Sequence, residues 1–232
     1  DGGTGILRAL GIRFFDQQQQ LLQSAESLVH LAYVDISHLD TRITGCNITV
    51  LCDVDNRLLG KQGAAAVFGP QKGASPENVV QLEASLQQLA TITLQQTGKD
   101  MSTMHYGGAA GGTSAGLCCF LNANLVNGID HFLQLTAFED ALKNCNLVIT
   151  GEGSLDEQTL GGKGPFGVAK KAKEKGIPVI GIAGKLPLET PAGLHTYFDA
   201  LFTIGNEPTT LPDALSNTLK NIERTSTEIG NL

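Results

Sequence analysis

No apolar run in the sequence approaches the roughly 18 residues that a membrane-crossing helix needs. The first residues, Asp1-Gly-Gly-Thr-Gly-Ile-Leu-Arg8, carry neither the basic region nor the cleavage site of a signal peptide. The chain therefore reads as cytoplasmic, with no membrane partner. Basic charge is scarce: 16 Lys and Arg stand against 23 Asp and Glu, a formal net charge of −7 with histidines neutral. No Lys/Arg run is interleaved with aromatics, which excludes nucleic acid as a partner. The five cysteines, at 46, 52, 118, 119 and 145, are odd in number and contain no C-x-x-C pair. That argues against a disulfide framework and a thiolate zinc site, and the cysteines read as buried thiols. The five histidines lack ligand spacing. Three motifs are also missing: a G-x-G-x-x-G dinucleotide fingerprint, a G-x-x-x-x-G-K-[ST] phosphate loop and a G-x-S-x-G nucleophile elbow.

What the chain has in excess is glycine, 28 of 232 residues, about 12% against a typical ~7%. The length allows one large domain or two small ones. A short helix follows Asp1-Gly2-Gly3, with Ile6, Leu7 and Leu10 at helical spacing, and Gly11-Ile-Arg-Phe-Phe15 alternates as a strand. Asn47 to Cys52 reads as a strand covered on both faces. Gly63 to Phe68 is a short helix before the Gly69-Pro-Gln-Lys-Gly73 turn. Ser75-Pro76-Glu77 opens a helix with a side-chain cap and proline at its first position; Val79, Leu82, Leu86, Leu89 and Leu94 form its apolar face and Gly98 ends it. Ala115 to Leu125 reads as a buried helix and Asn127-Gly128 as a turn. From about residue 140, strands (146–150, 178–183, 200–204) alternate with helices (from Gly167, and from about Asp213 with Leu215, Leu219 and Ile222 on one face), the pattern of parallel βαβ units. This texture puts a domain boundary near residue 140.

The glycine clusters are where chemistry is expected. Gly151-Glu152-Gly153 follows the strand ending at Thr150, at the carboxyl end of a parallel strand, where open α/β sheets place ligands. Glycines there let backbone N–H groups approach phosphate oxygens, and Glu152 and Asp156 could hold Mg²⁺ or orient a hydroxyl. The alternative is a glycine turn with Asp156 capping a helix. Lys163 stands in the glycine-rich stretch that leads into the next helix, a natural anion site. Gly107 to Gly112 is a second anion cradle by the same reasoning; close helix packing is the other reading of Gly111 and Gly112. Asp53, Asp55 and Asn56 end a strand where a carboxylate can bind metal or accept a proton, although D-x-D-N taken alone reads first as turn-forming residues. Gln71 and Lys72 have an ordinary reading as exposed loop residues. His105-Tyr106, beside the second glycine cluster, is the one histidine pair to watch.

Together these segments resemble the bacterial glycerate kinase family. The resemblance rests on Asp1-Gly-Gly-Thr-Gly, Cys52-Asp-Val-Asp-Asn56, Phe68-Gly-Pro-Gln-Lys-Gly73, Gly108-Ala-Ala-Gly-Gly112, Thr150-Gly-Glu-Gly153, Asp156, Gln158-Thr159, Gly162-Lys163 and Pro178 to Gly184, in register over nearly the whole chain. It implies transfer of the γ-phosphoryl of ATP to a hydroxyl of D-glycerate with Mg²⁺. It also implies two α/β domains around a cleft: an inserted domain (1–139) and a flavodoxin-like, doubly wound parallel sheet (140–232). The resemblance marks the chain as a fragment, since family members carry an upstream first strand, a lysine loop and a Gly-Gly-Ser-Ala-Thr-Asn segment. A homodimer is a further expectation.

On this reading the catalytic residues are Asp53 and Lys163. Substrate or nucleotide would be held by Asn56, Gln71, Lys72, Gly108, Gly111, Gly112, Gly151, Glu152, Gly153, Asp156 and Thr159. Asp55 is the metal candidate, and Asp55 and Glu152 rival Asp53 for the hydroxyl. The chain departs from the family pattern at Arg57 (usually Pro), at Ser154 (usually Arg) and at His105-Tyr106-Gly107 (usually Pro-Gly-Ala). Two other classes compete: a non-catalytic binding module, which would bind ligand without releasing ADP, and a nucleotide-dependent oxidoreductase, which would need the missing fingerprint.

Overall fold

The computed structural model describes residues 1–231. They form two compact units, residues 1–128 and 129–231.

In the first unit, α1 (Thr4–Ala9) starts at the Asp1 carboxylate, which accepts the Gly3 and Gly5 N–H groups at 3.0 and 3.1 Å. This satisfies donors that a helix start otherwise leaves open. Strands β1 (Arg13–Phe15) and β2 (Tyr33–Asp35) pair antiparallel, with buried Phe14 opposite buried Val34. After the single turn α2 (Thr41–Thr44) come β3 (Thr49–Cys52), α3 (Ala64–Phe68), α4 (Pro76–Thr97), α5 (Ala109–Leu121) and β4 (Asn124–Asn127), which lies parallel to β3 with Thr49 opposite Asn124.

Helix α4 has the ends that its residues predict. The Ser75 hydroxyl accepts the Asn78 N–H at 3.2 Å, and Gly98 closes the helix in a left-handed conformation. Leu86 and Leu89 join Leu7, Phe14, Leu58 and Met101 in one core. Leu94, expected on that face, is exposed, and Ala90 and Thr93 are buried instead. At 3.6 residues per turn, Leu94 lies about 80° around the helix from Leu86, whereas Thr93 returns to within about 20°.

Two other expectations change in this unit. One face of strand β3 is open, with Thr49 exposed and Leu51 half exposed, while Val50 and Cys52 on the other are half-buried and buried. Helix α5 starts earlier than Ala115 and stops at Leu121, and Leu125 belongs to β4. That strand escapes local reading because its partner is distant in sequence.

The second unit contains α6 (Gly128–Leu135), α7 (Phe138–Leu142), β5 (Val148–Ser154), α8 (Gly164–Glu174), β6 (Val179–Lys185), α9 (Ala192–Tyr197), β7 (Ala200–Thr203), α10 (Leu211–Ser216) and α11 (Thr218–Gly230). The strands form a parallel sheet in the order β5-β6-β7, Val148 opposite Val179 and Ile180 opposite Ala200. Both strand connections run through a helix, so the α/β class holds. The units divide ahead of residue 140 because Phe138 and Leu142 pack with Ala169, Val179 and Phe198. Asn127-Gly128 is no free turn: it ends β4 and opens α6.

Leu215 and Leu219 of the last two helices, expected to be apolar-face residues, are largely exposed. Cys46 and Cys145 are exposed too, against the reading of all five cysteines as buried; each of the five is a free thiol. Burial pushes the Cys119 thiol up to about 12, which leaves it inert.

Replacing Ser75 with Ala should cost about 1 kcal/mol, and Leu89→Ala about 2–5 kcal/mol. Urea unfolding checks both, as a lower midpoint with unchanged slope.

Candidate functional site

Each unit gathers part of the expected set. In the first, the segment after β3 runs against the glycine cluster before α5. The Gly108 N–H donates to the Asn56 carbonyl at 2.8 Å, and a Cβ on Gly108 would lie 2.2 Å from the Arg57 carbonyl oxygen. Glycine here is a packing requirement. The same holds at Gly112, where a Cβ would meet the Leu58 side chain at 2.5 Å. Ala110, Gly111 and Gly112 all have positive φ, which breaks the first turn of α5.

Gly111 and Lys72 line one cavity of about 130 Å³ together with Asp1, Phe68 and Leu86. Lys72 is its cation. Gln71 is exposed and outside it, and Asp53 is exposed at the end of β3. Asn56 uses its side-chain amide on the Gln62 carbonyl at 2.8 Å, so it shapes its own loop.

Asp55 has a partner that sequence spacing did not reveal. His105 Nδ1 lies 2.7 Å from Asp55 Oδ1, both side chains open to solvent, and the His105 ring packs edge-on against Tyr106. Tyr106 itself has φ of 62°. The family resemblance puts glycine at that place, and glycine adopts this conformation without strain. The one signal for this contact was the position of His105 beside the glycine cluster.

In the second unit the glycine segment 151–153 is not a loop after the strand. It continues β5, paired with β6 as far as Ser154 opposite Lys185. Gly151 allows this, since a Cβ there would lie 2.1 Å from the Ile182 carbonyl oxygen. A cavity of about 630 Å³ opens along the carboxyl ends of all three strands, lined by Gly151, Glu152, Gly153, Gly184 and Gly205, with Leu215 among its apolar walls. Its volume is in the range of small-molecule sites, about 300–1,000 Å³.

Beside it lies a polar cluster. Thr159 is fully buried, and its hydroxyl donates to Glu152 Oε1 at 2.5 Å and accepts the Asp156 N–H at 3.1 Å. The Ser154 hydroxyl donates to Asp156 Oδ2 at 2.9 Å, and the Gln158 N–H donates to Asp156 Oδ1 at 3.0 Å. The Ser154 hydroxyl does most to hold the Asp156 carboxyl below its ordinary pKa, against the effect of burial; the Gln158 N–H and the Lys163 charge add to it. Asp156 therefore spends its carboxylate on its own loop.

Glu152 Oε2 is 3.8 Å from Lys163 Nζ. Lys163 is the N-cap residue of α8; no side chain caps that end, and Pro165 stands in its first turn. An eleven-residue helix with open first-turn N–H groups and a lysine beside them is suited to an anion.

Comparison with known proteins decides the family. A model of the glycerate kinase family matches residues 1–232. The chain belongs to the glycerate kinase family. It is 40% identical over 230 residues to the glycerate kinase of Bacillus subtilis strain 168, covering 99% of this chain and 60% of that protein. The glycerate 2-kinase of Escherichia coli K12 is likewise 40% identical over 230 residues, again covering 99% of this chain and 60% of that one. A crystal structure from Salmonella typhimurium LT2, described as a glycerate kinase 2, superposes with a TM-score of 0.75 at 42% identity, covering 99% of this chain and 59% of that chain. The chain thus spans about 60% of the length of these relatives. Among glycerate kinases the usual Arg after Gly-Glu-Gly is replaced here by Ser154, and the structure shows what that serine does: it holds Asp156.

Ser154→Ala should therefore raise the Asp156 carboxyl pKa toward the ordinary carboxylate value, read as a shift in the ¹³C carboxyl titration of that residue. An unchanged titration would show that the hydroxyl does not hold it.

Proposed function

We propose that the protein transfers the γ-phosphoryl of ATP to a hydroxyl of D-glycerate. The observation that carries this is membership of the glycerate kinase family along the whole chain; Lys163 beside the open start of α8 supports it. In this reading the cavity at the ends of β5, β6 and β7 takes the nucleotide, and Lys163 with the open start of α8 holds its phosphates. Lys72 and Gly111, beside the smaller cavity, are suited to the glycerate carboxylate.

Phosphoryl transfer asks mainly for positioning and charge neutralisation, because the transition state is loose and its charge sits on the γ-phosphoryl oxygens. Asp53 takes the hydroxyl proton or orients the hydroxyl, with Asp55 and Glu152 as rivals. Mg²⁺ is held largely by water, phosphate and one or two carboxylates. The exposed carboxylates of Asp53 and Asp55 fit that need, although no three His, Cys, Asp or Glu converge among the described residues. When bound, the ion supplies neutralisation of phosphate charge. We read the second unit as part of a flavodoxin-like domain and the first as the domain inserted into it; the parallel order β5-β6-β7 supports the former. No helix among the described residues is long and apolar enough to cross a membrane, which accords with small soluble substrates.

Release of ADP from ATP and Mg²⁺ on addition of D-glycerate, measured on the product of the whole gene, tests the activity. Glycerate-dependent ADP is the expected result. Binding of ATP or glycerate with no ADP would assign a non-catalytic binding module instead. In the active enzyme Asp53→Asn should lower kcat by about 10²-fold or more; full turnover would pass the role to Asp55 or Glu152.

A further inference from the structure

We propose that Thr159 is a positioning residue that keeps Glu152 from closing on Lys163, and so keeps the Lys163 ammonium available to an anionic ligand. The inference rests on the reading of Lys163 as a phosphate ligand. Thr159 has no exposed surface, so it cannot touch a ligand itself, although the sequence alone placed it among the binding residues. Its one hydroxyl proton goes to Glu152 Oε1. Its carbonyl oxygen accepts the N–H of Gly162 and that of Lys163, both at 3.3 Å. A single buried residue thereby fixes the Glu152 carboxylate through its side chain and the Lys163 backbone through its main chain.

The spacing of the two charges shows the result. Glu152 Oε2 and Lys163 Nζ are 3.8 Å apart, well beyond the roughly 2.7–2.9 Å of a closed charge-assisted hydrogen bond. Asp156, whose charge also acts on Lys163, is not a competitor, because Ser154 and Gln158 occupy both its oxygens. The Glu152 side chain is one-fifth exposed and that of Lys163 rather more than one-third, so a pair closed between them would be only partly screened by water. Without the Thr159 hydroxyl, the Lys163 ammonium is the cation beside Glu152 that can pair with its carboxylate. A closed Glu152–Lys163 pair would neutralise the cation that the phosphate needs.

The test is binding of a non-hydrolysable ATP analogue with Mg²⁺, followed by calorimetry on the whole protein. Thr159→Ser should bind as the parent does, and Thr159→Val about tenfold more weakly, the scale of one charge-assisted contact. The double variant Thr159→Val with Glu152→Gln should bind within about twofold of Glu152→Gln alone, because an uncharged amide has no reason to close on the lysine. Parent-like binding by Thr159→Val, or a double variant as weak as Thr159→Val, would overturn the inference. Lys163→Gln separates it from the reading beneath it: if that variant binds normally, Lys163 holds no phosphate and the reading fails; if it binds weakly while Thr159→Val does not, only the positioning role fails. Should the valine variant not fold, a crystal structure of the unliganded parent decides. Glu152 kept on Thr159 and apart from Lys163 supports the role, and a closed pair near about 3 Å refutes it.

Discussion

The arrangement of the first unit depends on backbone lying directly against backbone. Where α5 crosses the start of the chain, a Cβ on Gly116 would sit 2.0 Å from the Gly2 carbonyl oxygen, and the Gly2 N–H donates to the Gly111 carbonyl at 3.0 Å. Gly108 lies against the Arg57 main chain in the same way. These contacts bring three segments that are remote in sequence, the Asp1 turn, the loop after β3 and the kinked start of α5, to within one hydrogen bond of each other. A single methyl group at Gly108 or Gly116 would meet backbone and separate them. At these two positions glycine is a packing device.

The second unit solves a related problem with side chains. Its glycines at 151 and 184 let β5 and β6 stay paired through the segment that carries Glu152, so that carboxylate is presented from a strand and held rigidly. The loop from Ser154 to Lys163 is then knitted by hydroxyls: Ser154 to Asp156, Thr159 to Glu152 and back to the Asp156 N–H. A serine in place of the family's usual arginine shortens the reach at position 154 and turns the function of that position inward. Where the family resemblance puts a cation, the chain has a loop staple, and Lys163 and Lys185 are the cations near that corner.

Much of this was legible beforehand, for reasons particular to each element. Helix α4 could be read at both ends because capping is local: Ser75, Pro76 and Gly98 act on neighbours within one turn. The parallel sheet from β5 to β7 could be read because a buried strand needs a continuous apolar run and its crossover helix needs a separate one. The family resemblance was carried by short glycine and carboxylate segments. Strand β4 and helices α6 and α7 were missed, since β4 is defined by a distant partner and the two helices are short.

Residue type and spacing alone settled the α/β class and which corners of the chain carry polar groups beside glycine, because turn chemistry, capping and apolar periodicity act over a few residues; the family was read from a resemblance of short segments in register. Which of those polar groups remain open to a ligand was decided by long-range packing. Burial of Thr159 and the meeting of His105 with Asp55 each depend on segments that only folding brings into contact, whereas Ser154 holds Asp156 from two residues away. A hydrogen bond consumes a donor wherever its partner comes from, and a linear sequence does not say which donors are already taken.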